Sequence, residues 1–242
     1  MTKSKYDRFH NKTSIQRKVI SENNFTYILL LPIINKYLKP NAKILDIGSG
    51  AGTLALYIAS KGHDALGIEI SQKAVESARE SAKILGLNNI SFEVMNFPNQ
   101  IPDGKFDMII FTEVIEHLKN DNKALNKISS LLNENGTLIL STPSVNAPLH
   151  RLGLTKSFDK KVGHLRRYSI DELKRKCEEN ELEVVEAKKI EGTIRNFLFT
   201  NEIAGKLVRF IKFYISDIVT FADNLTVPLF GESNIIIVAK KL

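Results

Sequence analysis

One cysteine, no tryptophan and three methionines in 242 residues leave little room for thiol chemistry. The lone Cys177 excludes a disulfide within the chain and any Cys-rich zinc site. Long apolar runs are missing as well. Each apolar stretch is broken by Lys, Arg or Asp, so no membrane-crossing helix is expected. Residues 1–24 are polar and basic and lack the apolar core of a secretory signal, which points to a cytoplasmic protein. There is no internal repeat and no low-complexity tract.

Acids are outnumbered, 27 against 34 Lys and Arg, for a formal net charge of +7. The excess is uneven. Residues 1–43 carry +7, residues 44–150 carry −4, and residues 151–242 carry +4. The basic flanks suit phosphate, anionic lipid or nucleic acid, or serve solubility alone. With 43% apolar residues, the chain is large enough for one sizeable α/β domain with an appended segment.

Short apolar runs near 43–47, 65–69, 90–95, 106–111, 136–142, 183–190 and 234–240 read as strands. Helical patterns fall at 25–38, 52–61, 72–86 and 119–132, and at 169–180, where Ser169 and Glu172 form a capping-box start. Such alternation argues for a parallel sheet covered on both faces. Asn133 to Gly136 reads as a turn before the fifth strand.

The most informative run is Lys43 to Gly52, KILDIGSGAG. An apolar strand ends in Asp46 and breaks into Gly48, Gly50 and Gly52 at alternate positions, and a helical pattern follows. Glycine lets a backbone approach a ligand where a Cβ would collide. A dinucleotide fingerprint needs its third glycine at position 53, which is Thr. Asp46 would repel a pyrophosphate and suits a cationic group such as an amino-acid ammonium. A second strand-end acid, Glu69, follows 23 residues later, close to the spacing of about 20 used to hold ribose hydroxyls.

This D-x-G-x-G-x-G pattern resembles motif I of class I S-adenosylmethionine-dependent methyltransferases. The resemblance implies a Rossmann-like, doubly wound seven-stranded sheet with strand seven antiparallel. It also implies a cofactor set of Asp46, Gly48, Ser49, Gly50, Gly52, Glu69, Ile70, Asn96, Phe97 and Thr112. Asn96 and Phe97 stand where relatives carry Asp and a small residue, so adenine contact by the side chain would be uncharged. Phe97 would stack on the ring or fill core.

After strand four, Glu113, Glu116 and His117 stand at i, i+3 and i+4, on one side if the chain turns helical. The pattern is similar to that of ubiquinone-biosynthesis O-methyltransferases and of small-RNA 2′-O-methyltransferases, in which two Glu and two His bind Mg²⁺. Glu113, Glu116, His117 and His164 match those positions, which implies S-adenosylmethionine with Mg²⁺ or Mn²⁺ and transfer to a hydroxyl. A metal-free acid/base site and a structural role stay open. Arg166, Arg167 and Tyr168 would grip an anionic substrate, or the arginines would pair with Asp171 and Glu172.

Three units are expected: an N-terminal arm and lid helix at 1–40, a methyltransferase domain at 41–192 and 231–242, and an apolar helical insertion at 193–230 between strands six and seven. In the arm, Tyr6, Arg8, His10 and Gln16 are candidates to cover the cofactor. Within the insertion, polar residues recur every three or four positions through 201–223, which reads as one helix with a wide apolar face. That face would pack on its own domain or a second subunit, lie on a membrane, or roof a lipid-tailed substrate. The substrate expected is small, lipid-linked or glycan. The alternatives are an RNA 2′-O-methyltransferase and a non-catalytic, cofactor-binding partner subunit of another methyltransferase.

Overall fold

The computed structural model describes residues 15–201, 203–205 and 216–242. Tyr6, Arg8 and His10 of the expected lid lie outside these residues, as does much of the expected 201–223 helix.

Seven strands form one sheet in the order β3-β2-β1-β4-β5-β7-β6. They are β1 (Lys43–Ile47), β2 (Asp64–Glu69), β3 (Ile90–Val94), β4 (Phe106–Thr112), β5 (Leu132–Pro143), β6 (Leu182–Ile190) and β7 (Asn234–Lys241). The first five run parallel, and β7 inserts antiparallel to both β5 and β6. The fold is the Rossmann-like sheet that the glycine motif implies, with an antiparallel strand seven.

Successive strand residues serve opposite faces. Ile44, Ile110, Ile139 and Ile236 join one apolar cluster, and their neighbours Leu45, Ile109, Leu138 and Ile237 join the other. This explains why the central strands read as near-continuous apolar runs, both faces being covered, while the edge strands β3 and β6 carry exposed polar residues. The described helices are α1 (Leu31–Tyr37), α2 (Thr53–Ser60), α3 (Gln72–Ile84), α4 (Asp121–Leu131), α5 (Pro148–Arg151), α6 (Lys156–Val162), α7 (Ile170–Glu178), α8 (Thr193–Thr200) and α9 (Ser216–Phe230). Ser169 caps α7 by accepting from the Glu172 N–H at 3.1 Å.

Three local expectations change. The helix expected from residue 25 starts at Leu31, where Pro32 occupies the first turn and needs no N–H partner. The turn at Asn133 to Gly136 lies inside β5: pairing with β4 jumps from Leu132 to Thr137, and Asn135 takes φ +57°. Between β6 and β7 the chain builds α8 and α9, and the apolar face of α9 does not pack on its own domain, one of the placements expected for it. Ser216, Thr220 and Asp223 are buried, whereas Ile218, Phe221, Leu225 and Leu229 are exposed. The reason is hydrogen bonding. Asp223 accepts from the Gly192 and Arg195 N–H groups at 2.7 and 2.9 Å, and Thr220 accepts from the Arg195 guanidinium at 3.3 Å. Buried polar groups need such partners, and the polar face of α9 supplies them alongside the Phe25 carbonyl and Glu191.

Candidate active site

The glycine turn stands at the carboxyl end of β1, where open α/β sheets bind ligands. The Gly48 and Ser49 N–H groups both donate to the Ile68 carbonyl, at 2.8 and 3.1 Å, so the turn is tied to β2. Gly48 has φ +74°, and a Cβ there would come 2.4 Å from Val114. A cavity of about 530 Å³ opens beyond it, lined by Asp46, Gly48, Ser49, Gly50, Glu69, Ile70, Asn96, Phe97 and Thr112. Gly52 is the one expected cofactor residue outside this lining. It caps α2 in a left-handed conformation, and a Cβ would meet Phe92 at 2.6 Å. Its role here is to let α2 pack against β3.

Asp46 is buried, and burial pushes its carboxyl up to about 7 against a hydrogen bond from the Ala55 N–H. Glu69 accepts from the Ser71 N–H at 2.9 Å and the Gly50 N–H at 3.2 Å. A carboxylate has about four acceptor positions, so capacity remains toward the cavity. Ser49 Oγ is buried and has no hydrogen-bond partner among the described residues. A cavity of this size, a left-handed glycine turn, a buried acid and an orphaned hydroxyl fit a nucleoside carrying an amino-acid cation. The Phe97 ring is part of the core, 5.8 Å from Phe111 and edge-on to it. From the arm, Gln16 donates to the Ala51 carbonyl and to Thr53 Oγ1, both at 3.0 Å, next to the glycine turn.

A second cavity of about 270 Å³ adjoins the first, and Thr26, Tyr27, Thr112 and Glu113 line both. Glu113 does not start a helix. It takes φ +56°, a costly conformation for a residue with a Cβ, and its N–H donates to the Ser141 carbonyl at 3.0 Å. Its Oε1 accepts from Ser141 Oγ at 2.8 Å and from Asn234 Nδ2 at 2.9 Å. A single 3₁₀ turn, Ile115–His117, follows.

The structure brings Glu116, His117 and His164 together into one set of ligand atoms, and Glu113 stands near that set without joining it. One ligand atom from each of the three lies within 4.8 Å of the others. Glu116 Oε1 stands 3.7 Å from His117 Nε2 and 3.8 Å from His164 Nε2. The loop carrying His164 is held to the 3₁₀ turn by the Leu165 N–H donating to the Glu116 carbonyl at 2.9 Å. His117 Nδ1 lies 3.1 Å from the Gly163 carbonyl, which can only accept, so Nδ1 carries the proton. Burial pushes the His117 imidazole down to about 4, so at neutral pH it is uncharged and its Nε2 is an acceptor. His164 Nδ1 meets Asp159 Oδ1 at 2.9 Å. Burial opposes ionisation of Asp159, but hydrogen bonds from His164 and Arg167 outweigh it and hold the carboxyl well below its ordinary range. Glu116 Oε2 accepts from Thr142 Oγ1 at 3.1 Å, while Oε1 is buried without a hydrogen-bond partner among the described residues. Burial and the nearby Glu113 raise the Glu116 carboxyl well above 4.5.

The arginines take other partners than those expected. Arg166 pairs with Asp121 at 2.9 Å, and Tyr168 donates to the same carboxylate at 2.8 Å. Arg167 pairs with Asp159 at 2.6 Å and lines the second cavity. Several site residues escape a reading of the sequence: Tyr27, Ser141, Asp159, Glu191 and Asn234. Ser141 and Asn234 carry a faint signal, because they are polar residues at the ends of otherwise apolar strands. Glu191 carries none. It is held at φ +58° against the second cavity, and burial pushes it up to about 7.

Comparison with known proteins agrees with this geometry. The chain is 33% identical over 139 residues to a ubiquinone biosynthesis O-methyltransferase of Pelagibacter ubique, covering 57% of this chain and 56% of that protein. It is 37% identical over 108 residues to a phosphoethanolamine N-methyltransferase of Plasmodium falciparum, covering 43% and 40%. The chain thus spans about half the length, or less, of these curated relatives. Among solved structures, the Haemonchus contortus phosphoethanolamine N-methyltransferase 2 in complex with S-adenosyl-L-methionine matches with a TM-score of 0.70 at 15% identity, over 98% of this chain and 60% of that one. A putative sarcosine dimethylglycine methyltransferase from Galdieria sulphuraria matches with a TM-score of 0.65 at 14% identity, over 98% and 97%. The sequence model of the methyltransferase domain matches residues 38–218, and the chain belongs to that family.

Proposed function

We propose that the chain is an S-adenosylmethionine-dependent methyltransferase that methylates a hydroxyl on a small, lipid-linked or glycan acceptor. In this reading residues 41–192 and 231–242 form the catalytic unit, Gln16, Thr26 and Tyr27 of the N-terminal arm cover the cofactor, and Asn196, Phe199 and Thr200 of the insertion wall the acceptor chamber. The larger cavity takes the cofactor and the smaller takes the acceptor, with Thr112 and Glu113 at their junction.

S-adenosylmethionine brings a methyl group already activated by its sulfonium, so the protein's tasks are alignment and proton removal. Asp46 faces the amino-acid cation and Glu69 the ribose hydroxyls. Glu113 stands where an acceptor hydroxyl would enter, oriented by Ser141 and Asn234.

The observation that carries the hydroxyl reading is the meeting of Glu116 Oε1 with the Nε2 atoms of His117 and His164. Three acceptor atoms converge there, and the proton on His117 Nδ1 faces away from them. Such a set fits a divalent cation such as Mg²⁺ or Mn²⁺, held by Glu116, His117 and His164. A bound cation of this kind makes a neighbouring hydroxyl easier to deprotonate.

The test is transfer of labelled methyl from S-adenosylmethionine to a panel of polyprenyl phenols, glycans and amines, with Mn²⁺ or with a chelator. The reading expects metal-stimulated ether formation. Methylation of amines alone, indifferent to chelation, would overturn it.

A further inference from the structure

The outer face of α9 is apolar. Ile218, Phe221, Leu225 and Leu229, spaced three, four and four residues apart, share one side of the helix and are 67, 68, 58 and 74% exposed. Scattered apolar residues are ordinary on a surface, but an aligned row of four is the kind of feature that contact sites have. The face cannot turn inward, because Asp223 and Thr220 on the opposite side are bonded to Gly192 and Arg195.

We infer that this face docks on the surface of an anionic phospholipid bilayer. Charge complementarity favours that occupant. The segment 146–149 meets α8 and the residue that follows α9: the Leu149 N–H donates to Asn196 of α8 at 3.2 Å, and a Cβ on Gly231 would come 2.7 Å from the Asn146 carbonyl. That segment continues into Leu152 and Leu154, 71 and 67% exposed, flanked by exposed Arg151, Lys156 and Lys160. Its one acid through residue 163, Asp159, is turned inward onto His164 and Arg167. α9 itself exposes one acid, Asp217, at its start, and Lys206, Arg209 and Lys212 of the joining sequence lie outside the described residues. Apolar side chains among cations match an acyl boundary beneath anionic headgroups. A second copy of the chain would bring the same cations face to face.

The placement also bears on the acceptor, and here the inference rests on the function proposed above. Phe199 of α8 lines the acceptor chamber and is 39% exposed, so α8 borders both the chamber mouth and the apolar face. An acceptor with a lipid tail would reach the chamber past Phe199 while its tail stays in the bilayer.

The experiment is flotation of the full chain with phosphatidylcholine vesicles, with and without phosphatidylglycerol, at low and high salt. Calorimetry of S-adenosylhomocysteine binding is run on the same preparations. The wild type is expected to float with anionic vesicles and to be released by salt. Phe221→Glu/Leu225→Glu and Lys156→Glu/Lys160→Glu should each weaken binding by on the order of tenfold and leave cofactor binding unchanged. A wild type that stays in solution, or variants that float as well as it does, overturns the inference. So does a wild-type dimer that Phe221→Glu/Leu225→Glu dissociates without any vesicle binding, which would assign the face to a second copy. Loss of cofactor binding with flotation intact would instead strike the proposed function and leave the surface standing.

Discussion

Glu116 Oε1 lies 3.8 Å from His164 Nε2, and no hydrogen bond from the described residues reaches that oxygen. A buried carboxylate oxygen without a donor is expensive, so the arrangement is stable only if a cation or a proton occupies the gap. Glu116→Gln and His164→Ala are therefore expected to lower methyl transfer by roughly 10²–10⁴-fold. S-adenosylhomocysteine affinity should stay within about twofold, because neither residue lines the larger cavity. Steady-state kinetics alongside calorimetry checks this. A matching fall in cofactor affinity would place the two residues in the wrong pocket.

Asp159 holds His164 and Arg167 at once, at 2.9 and 2.6 Å. Asp159→Ala leaves the Arg167 guanidinium, almost wholly buried, without its ion-pair partner. The expected cost is about 3 kcal/mol, or roughly 8 °C in Tm for a domain of this size. The freed imidazole should also lose its fixed orientation. Asp159→Asn is expected to recover much of the stability but less of the activity, since an amide orients a histidine less firmly than a carboxylate does. Equal recovery of both in thermal melts and turnover assays would reduce Asp159 to a structural role.

Gly52 differs from Gly48 in what it meets. A Cβ at 52 runs into Phe92 at 2.6 Å and Ala78 at 3.1 Å, away from the larger cavity. Gly52→Ala is expected to destabilise the fold by about 1–3 kcal/mol, and Phe92→Leu should return part of that loss. Gly48→Ala should instead disturb the turn that lines the cavity, and Phe92→Leu should not help it. Denaturant unfolding of the four variants separates the cases.

Much of this was legible in the sequence and some was not, for physical reasons. The central strands were readable because a sheet covered on both faces selects unbroken apolar runs, and the edge strands β3 and β6 by their apolar residues between polar ones. The glycine turn was readable because glycine takes the left-handed φ at 48, 50 and 52 without the strain a Cβ brings. Helical spacing at Glu113, Glu116 and His117 misled, because Glu113 adopts a left-handed backbone and only one 3₁₀ turn follows. The orientation of α9 was not readable either. Its apolar stripe is plain in the sequence, but the demand from Arg195 and the Gly192 N–H that turns its polar side inward is a tertiary fact.

The pH dependence of the ligand-free protein follows from Asp46, which burial raises from 3.8 to about 7. Between those values the folded chain holds a proton that the unfolded chain has lost. This carboxyl therefore makes stability fall as pH rises, by up to about 1.4 kcal/mol per unit. Glu191, raised to about 7, adds to the same slope. His117, pushed from 6.5 down to about 4, opposes it, because there the unfolded chain holds the extra proton. Asp46→Asn is expected to flatten the fall between about pH 5 and about pH 7 by one carboxyl's share. Urea unfolding across that window checks it, and parallel curves for wild type and variant would refute it.

The most direct test of the account is calorimetry of S-adenosylhomocysteine against the ligand-free wild type, Asp46→Ala, and the Glu116→Ala/His164→Ala pair. Wild type and the pair are expected to bind in the micromolar range. Asp46→Ala, which loses the charge that faces the ammonium, is expected to bind at least about tenfold more weakly. Absence of binding by a folded wild type would contradict the assignment of the glycine-lined cavity as a cofactor site.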